Sequence, residues 1–527
     1  MVFGFSALPT RGLCAGLACA AALAACAAAG PSTVAHVGAA GGGGDPALAV
    51  RFQLDVLNRL TWGASVSSAR QIAAQGTDAF IERQLGQGGG ALPPEAQAQI
   101  DALSISQRPV EELAVELEQR RRDADAVADL EQRKAAQQAY QQELNRLGRE
   151  AAVRSLLRDL YAPDQLREQM TWFWMNHFNV LLYKANLRAL VGDYEEHAIR
   201  PNALGRFSAL VKATARHPAM LRYLDNEQNA VKHINENYAR ELMELHTMGV
   251  NGGYSQGDVQ ELARVLTGVG VNMTSSRPGV PPGLAGEYVR SGLFEFNPSR
   301  HDYGAKTFLG EPIRSRGLAE LDEAIDRLVR QPATARFVSR KLALFFVSDD
   351  PPQALVEAMA ATFRHSDGDI AATLRTLFAA PALTASLRTK FKDPVHYVVS
   401  AVRLAYDDKV ILNAGPMIGW LGRMGEPLFA HETPDGYPLV RAAWASAGQM
   451  TVRFEIARGI GSGSAGLFKS DAPVPVERPA FPQLSNALYF QSLAPSLSGP
   501  TRQALDQAVS PQEWNLFLLA SPEFMYR

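Results

Sequence analysis

From Ala47 onward the apolar residues recur every three to four positions, the period of a helix with one buried face, and strand-like alternation is scarce. The punctuation between these stretches is helical as well. Ser65 and Thr77 stand where N-caps belong, and Gly76 and Gly86 where helices stop, which predicts two short helices in succession. Residues 111–150 are dense in Glu, Arg, Gln and Ala, with Leu113, Leu117, Val127, Leu130, Leu144 and Leu147 at helical spacing. They predict a protruding helical hairpin or short coiled coil over about 108–150, its charges on a solvated face. Residues 165–183 carry Trp172, Phe173, Trp174 and Phe178 and are too apolar all round for a surface helix. Further helices are expected over 202–215, 218–224 and 236–248, and the clearest opens at Ser255 with Asp258, buries Val259, Leu262, Ala263 and Leu266, and ends at Gly268.

The pattern then breaks. Residues 272–291 form a Pro- and Gly-rich connection, and 294–308 alternate in short pieces around Asn297-Pro298, which predicts one small β-hairpin. Helices resume in antiparallel pairs over 318–406, one with Pro332 as its first residue and another opened by Ser366 with Asp369. Residues 413–448 are rich in turn chemistry, including Gly425-Glu426-Pro427 and Pro434-Asp435-Gly436-Tyr437-Pro438. The predicted fold is mainly α: a multi-helical globular array with a protruding helical hairpin and one small β-hairpin. Its regions are an N-terminal helical part (48–270), the loop and hairpin (271–315) and a C-terminal helical part (316–527).

Ahead of this array lies a different pattern. Arg11 precedes an apolar run from Leu13 to Ala25, about half of the ~20 residues that span a bilayer, as in a signal-peptide core. The run ends in Leu23-Ala24-Ala25-Cys26, which resembles a bacterial lipobox with Cys26 as the lipidated residue. On that reading residues 1–26 are a lipoprotein signal peptide, 27–47 a flexible tether with four glycines in a row, and the chain meets the membrane through its N-terminal lipid. It would be exported, in the periplasm or anchored at the outer membrane. Ordinary secretion with cleavage near Ala27–Gly30 is the alternative, and Cys26 would then be lost. All three cysteines, Cys14, Cys19 and Cys26, lie in this leader, so the array itself can hold no disulfide.

Composition narrows the partners. The 527 residues include 46% hydrophobic ones, enough for a large core, and 52 Lys and Arg stand against 54 Asp and Glu. A net charge of −2 provides no basic field for nucleic acid.

Candidate chemistry gathers on residues 235–246. On a helix His233, Asn237, Glu241 and Glu244 share one face, where a carboxylate pair beside Asn and His could hold a divalent cation or divide into an acid and a base. The plainer reading is a ladder of Glu236, Arg240 and Glu244 at four-residue spacing. His177, flanked by Asn176 and Asn179 on an apolar helix, is either a satisfied core residue or a ligand or acid-base group, because buried polar groups need partners. His301-Asp302, with Lys306 four residues on, falls at the expected hairpin tip, as a site or an ordinary polar turn. His197, His217, His365, His396 and His431 read as structural. Zinc-protease, nucleophile-elbow, phosphate-loop and dinucleotide signatures are absent, as is covalent haem attachment, so no haem, nicotinamide or nucleotide cofactor is indicated.

The run from Asn235 to Gly268, "NENYARELMELHTMGVNGGYSQGDVQELARVLTG", resembles the signature of the bacterial family of domain of unknown function 1800. The strings "LNRLTWGA" (57–64), "MNHFNV" (175–180), "HDYGAKTFLG" (301–310), "FKDPVHYV" (391–398) and the closing "SPEFMYR" support the likeness, and Val269 replaces the aromatic residue usual after Thr-Gly. The resemblance implies a large, exported, mostly helical bacterial protein, often found beside a co-exported family, domain of unknown function 1501, which is similar to alkaline-phosphatase-type hydrolases. It carries over no catalytic residue. Two functions fit. One is an envelope hydrolase with Glu241 and Glu244 as metal ligands or base, His177 and His301 as ligands or acid, Asp302 beside His301, and Arg240 as an anion clamp. The other is a non-catalytic scaffold that holds a partner enzyme through the 111–150 hairpin.

Overall fold

The computed structural model describes residues 46–527 except 87–89, 275, 470–478 and 480. Cys26, the signal-peptide run and nearly all of the tether lie outside the described residues. Helix makes up 63% of the structure and strand 4%, so the mainly α expectation holds. One core runs from Leu54 to Met525 and joins the N- and C-terminal regions. Among the described residues no helix is long and apolar enough to cross a membrane.

The centre of that core is the helix Pro394–Tyr406. Asp393 caps it, its carboxylate accepting the N–H of His396 at 2.8 Å, and Pro394 fills the first turn, where a missing N–H costs nothing. Almost every residue of this helix is buried, and its polar His396 and Arg403 find partners inside, Asp393 at 2.7 Å and the Gly63 carbonyl at 3.0 Å. The first helix, Pro46–Leu60, runs into Trp62-Gly63, and a Cβ on Gly63 would stand 2.5 Å from that of Ser400. Gly63, at φ 124°, therefore lets the two segments touch. Around this centre, Pro332–Phe346 packs on Gln353–His365, and Ala447–Gly461 on Pro511–Leu519.

The hairpin forms from Val110–Ala126 and Leu130–Tyr161. Leu113, Leu117, Tyr140, Leu144 and Leu147 give it a small core of its own, while the long helix continues into the main core through Leu156, Leu157 and Leu160. Its charges pair along their own helices, as in Arg121–Glu118 at 2.8 Å and Arg146–Glu143 at 2.6 Å.

Several boundaries differ from expectation; Thr77 is the first residue of its helix with Gly76 as the cap, and the helix expected from Ser366 is capped by Asp369. The aromatic helix ends at His177, not near Tyr183, because Asn179 and Leu182 bond to the backbone of residues 429–433 instead of continuing the helix. The helix expected over 202–215 is Phe207–Arg216, preceded by a short 3₁₀ turn. The acidic helix is only Asn237–Glu244. The carbonyls of Glu241 and Met243 take the N–H groups of His246 and Met248, five residues on, and this wide closing turn brings His246 inside. Finally, the hairpin lies one strand earlier than predicted. Strands β1 (Val269–Val271), β2 (Val289–Ser291) and β3 (Phe294–Phe296) form an antiparallel sheet in the order β1-β3-β2, with Val269 opposite Phe296 and Ser291 opposite Phe294. Asn297 instead opens a 3₁₀ turn by accepting the Ser299 N–H at 3.0 Å, and Thr307–Phe308 pairs separately with Glu311–Pro312.

Candidate functional site

The acidic helix realises the plainer of its two readings. Tyr238, Ala239, Leu242 and Met243 are buried, and Arg240 lies between Glu236 (3.1 Å) and Glu244 (3.6 Å) while donating to Gln256 at 2.9 Å. Arg240 is thus engaged along its own helix and is no free anion clamp. Glu241 stands half-buried beside the ladder. Burial pushes its carboxyl upward, Glu244 and Asp435 add to this, and Arg240 opposes it.

His177 is buried with its Nε2 3.0 Å from the His246 carbonyl oxygen, which makes that nitrogen the donor and leaves Nδ1 with no partner among the described residues. Its ring packs on Phe178 at 4.6 Å and Trp174 at 5.3 Å. Burial, then Lys341 and His246, hold it neutral well below the usual imidazole range. His246, which the sequence did not single out, is fully buried 6.1 Å away, and burial with Lys341 pulls it to about 3. The flanking amides hold a loop in place. Asn176 donates to the Tyr437 carbonyl at 2.9 Å and accepts the Tyr437 N–H at 2.6 Å, and Asn179 donates to the carbonyls of His431 and Thr433. A Cβ on Gly436 would come within 2.1 Å of the Asn176 carbonyl oxygen, so this contact requires glycine.

His301 occupies another neighbourhood. Its Nδ1 meets the Thr267 carbonyl oxygen at 2.7 Å and its Nε2 meets Glu320 at 3.2 Å; the other Glu320 oxygen takes Lys306 at 2.8 Å. Burial alone would raise the Glu320 carboxyl, but His301 and Lys306 hold it below its usual range. Asp302 is held separately, by Arg264 at 2.8 and 3.3 Å. Among the described residues no group of three His, Cys, Asp or Glu side chains could hold a metal ion. The metal set of His177, Glu241, Glu244 and His301 is therefore not assembled. One histidine sits in the aromatic core, the other is satisfied by Thr267 and Glu320, and the two carboxylates lie on a half-buried helix, Glu244 in the ladder and Glu241 beside it.

Three of the motif strings meet elsewhere. Arg59 of "LNRLTWGA" donates to the carbonyls of Phe346, Val347, Ser386 and Arg527 and to the Ser386 hydroxyl. Within "FKDPVHYV", Asp393 pairs with His396 at 2.7 Å, and the Lys392 carbonyl accepts Arg453 at 2.7 Å while its N–H donates to Met525 of "SPEFMYR" at 2.8 Å. The model of the family described as a protein of unknown function (DUF1800) matches residues 55–526. The chain belongs to this family. No curated protein and no solved structure matches it. Three of the strings by which this DUF1800 chain is recognised thus build one buried polar floor.

Above that floor opens a cavity of about 500 Å³, within the size range of small-molecule sites. Leu54, Leu404, Leu493, Leu518 and Phe524 supply apolar wall. Two carboxylates at its edge already have partners: Asp55 pairs with Arg388 at 3.2 Å, and Glu523 accepts the Ser498 N–H at 2.7 Å and the Thr501 hydroxyl at 2.8 Å. Lys392 differs. It is 3% exposed, its Nζ lies 3.7 Å from the centre of the Phe524 ring, and among the described residues that amine has neither a hydrogen bond nor an ion pair. Burial, followed by Arg453 and Arg527, pushes the amine well below the ordinary lysine range. Sequence reasoning passed over Lys392. The one available signal was a lysine placed directly before the Asp cap of a mostly apolar helix.

Proposed function

We propose that this DUF1800 chain is an exported, lipid-tethered envelope protein that receives a small, largely apolar molecule in the Lys392 cavity, with the molecule's polar end toward the amine. The observation that carries the reading is the pairing of apolar walls with one buried, unpartnered amine. A hydrolytic role at the acidic helix retains only the carboxyl pair Glu241 and Glu244. Docking of a co-exported partner on the hairpin gains little support, because the hairpin charges neutralise one another along their own helices.

Titration with the apolar fluorophore anilinonaphthalene sulfonate tests the pocket. Saturable one-to-one binding that is weakened in Leu493→Trp is expected, since the larger indole takes up part of the cavity. Binding that this variant leaves unchanged would place the ligand elsewhere and overturn the reading. The tether is tested by Cys26→Ser, which should move the protein from the membrane to the soluble fraction. Unchanged membrane retention would remove the lipid anchor from the proposal.

A further inference from the structure

We infer that Lys392 is a nucleophilic amine that forms an imine with an aldehyde or ketone bound in its cavity. This deepens the proposed pocket by naming the ligand's reactive group, and it rests on that reading. Three features support it. The amine is on the cavity wall and has no acid against it, so nothing must be displaced before a carbonyl carbon approaches. The groups facing it are the Phe524 ring, the guanidinium groups of Arg453 and Arg527 behind it, and the cavity-edge carboxylates Asp55 and Glu523, both held by other partners. Asp393, next in the chain, is turned to His396. Desolvation together with neighbouring cations is the arrangement that keeps a lysine unprotonated and reactive.

The step balances without a redox partner. The Nζ lone pair attacks the carbonyl carbon and forms the C–N bond, and one amine proton passes to the carbonyl oxygen to give a carbinolamine. Loss of that hydroxyl with the second amine proton, as water, breaks the C–O bond and leaves the imine. The apolar walls favour this last step by keeping bulk water from returning.

The test is trapping by pentane-2,4-dione, whose imine with a lysine rearranges to a stable, ultraviolet-absorbing enaminone. In the purified full chain one enaminone is expected, located by peptide mass spectrometry at Lys392 with the mass of one dione less one water. An exposed lysine is only about 0.1% unprotonated near pH 7.4, so trapping at Lys392 should be on the order of a hundredfold faster than at any surface lysine. Lys392→Met should abolish it. Leu493→Trp, which keeps the amine but takes up part of the cavity, should slow it severalfold. Because the site is read by mass in the unmodified chain, the outcome does not depend on whether a variant folds. If the fluorophore binds the cavity but Lys392 is not trapped, or is trapped no faster than surface lysines, the imine is overturned and the pocket stands. If neither binds, both fail.

Discussion

Lys306 and Lys392 are both buried lysines in motif strings, and their surroundings are opposite. Lys306 is 4% exposed and reaches Glu320 at 2.8 Å and the Asp302 carbonyl, with His301 on the same carboxylate. Lys392 is 3% exposed and has an aromatic face, two guanidinium groups and an open cavity. A buried charge with a full set of partners holds a structure together. A buried amine without one is costly to keep, and it is available to a ligand. The comparison shows why burial of a polar residue is a poor guide to function until its partners are counted.

The comparison breaks most visibly if Lys306 is removed. Lys306→Met leaves Glu320 buried with only His301 and the Gly317 N–H and no full cation, and a loss of about 3–5 kcal/mol in urea unfolding is expected. The next effect is a pH dependence at His246. Its folded-state pKa is about 3, below the ~6.5 of an unfolded histidine, so it binds fewer protons folded than unfolded. Its contribution to stability is full above about pH 6.5 and declines as pH falls toward 3. Unfolding curves at pH 7.5, 5.5 and 4.5 should therefore lose less stability on acidification in His246→Phe than in the native chain. Equal slopes would mean that the ring is not held neutral by burial.

Lys392→Met tests the other side of the comparison. An apolar chain of similar length in place of an unpartnered amine should leave stability unchanged or raise it by up to about 2 kcal/mol. A loss as large as that of Lys306→Met would reveal a hidden partner. The smallest effect is expected at the acidic helix. Glu241→Gln should change stability by no more than about 0.5 kcal/mol, because the half-buried carboxylate has no hydrogen bond or ion pair among the described residues, and a chelator should shift the melting of neither protein. A chelator-dependent difference between the two would restore a metal at that helix.

Much of the fold was legible. Ser255 and Asp258 form the reciprocal cap their spacing predicted, and Val259, Leu262 and Ala263 are the buried stripe. Helix period and caps are local, so three or four residues are enough to recognise them. What failed was also local in appearance but decided from a distance. The aromatic helix stops at His177 because Asn179 finds carbonyls more than 250 residues away, and β3 pairs with strands on either side of a connection that the sequence presented as a loop. For the candidate site, helical spacing did place Glu241 and Glu244 near each other, but nothing in the spacing could say whether His177 and His301 would join them.

By itself the sequence determined the helical class, most caps, the hairpin with its solvated charges, and the family, because each is written in short-range periodicity or contiguous strings. Only the tertiary structure decided which polar residues have partners. His301 and Lys306, on a loop, meet Glu320 of the helix Leu318–Arg330, Asn176 meets Tyr437, and Lys392 meets no acid among the described residues. Whether a buried amine is neutralised or left open is a sum over groups brought together from distant parts of the chain, and that sum exists only once the core has closed.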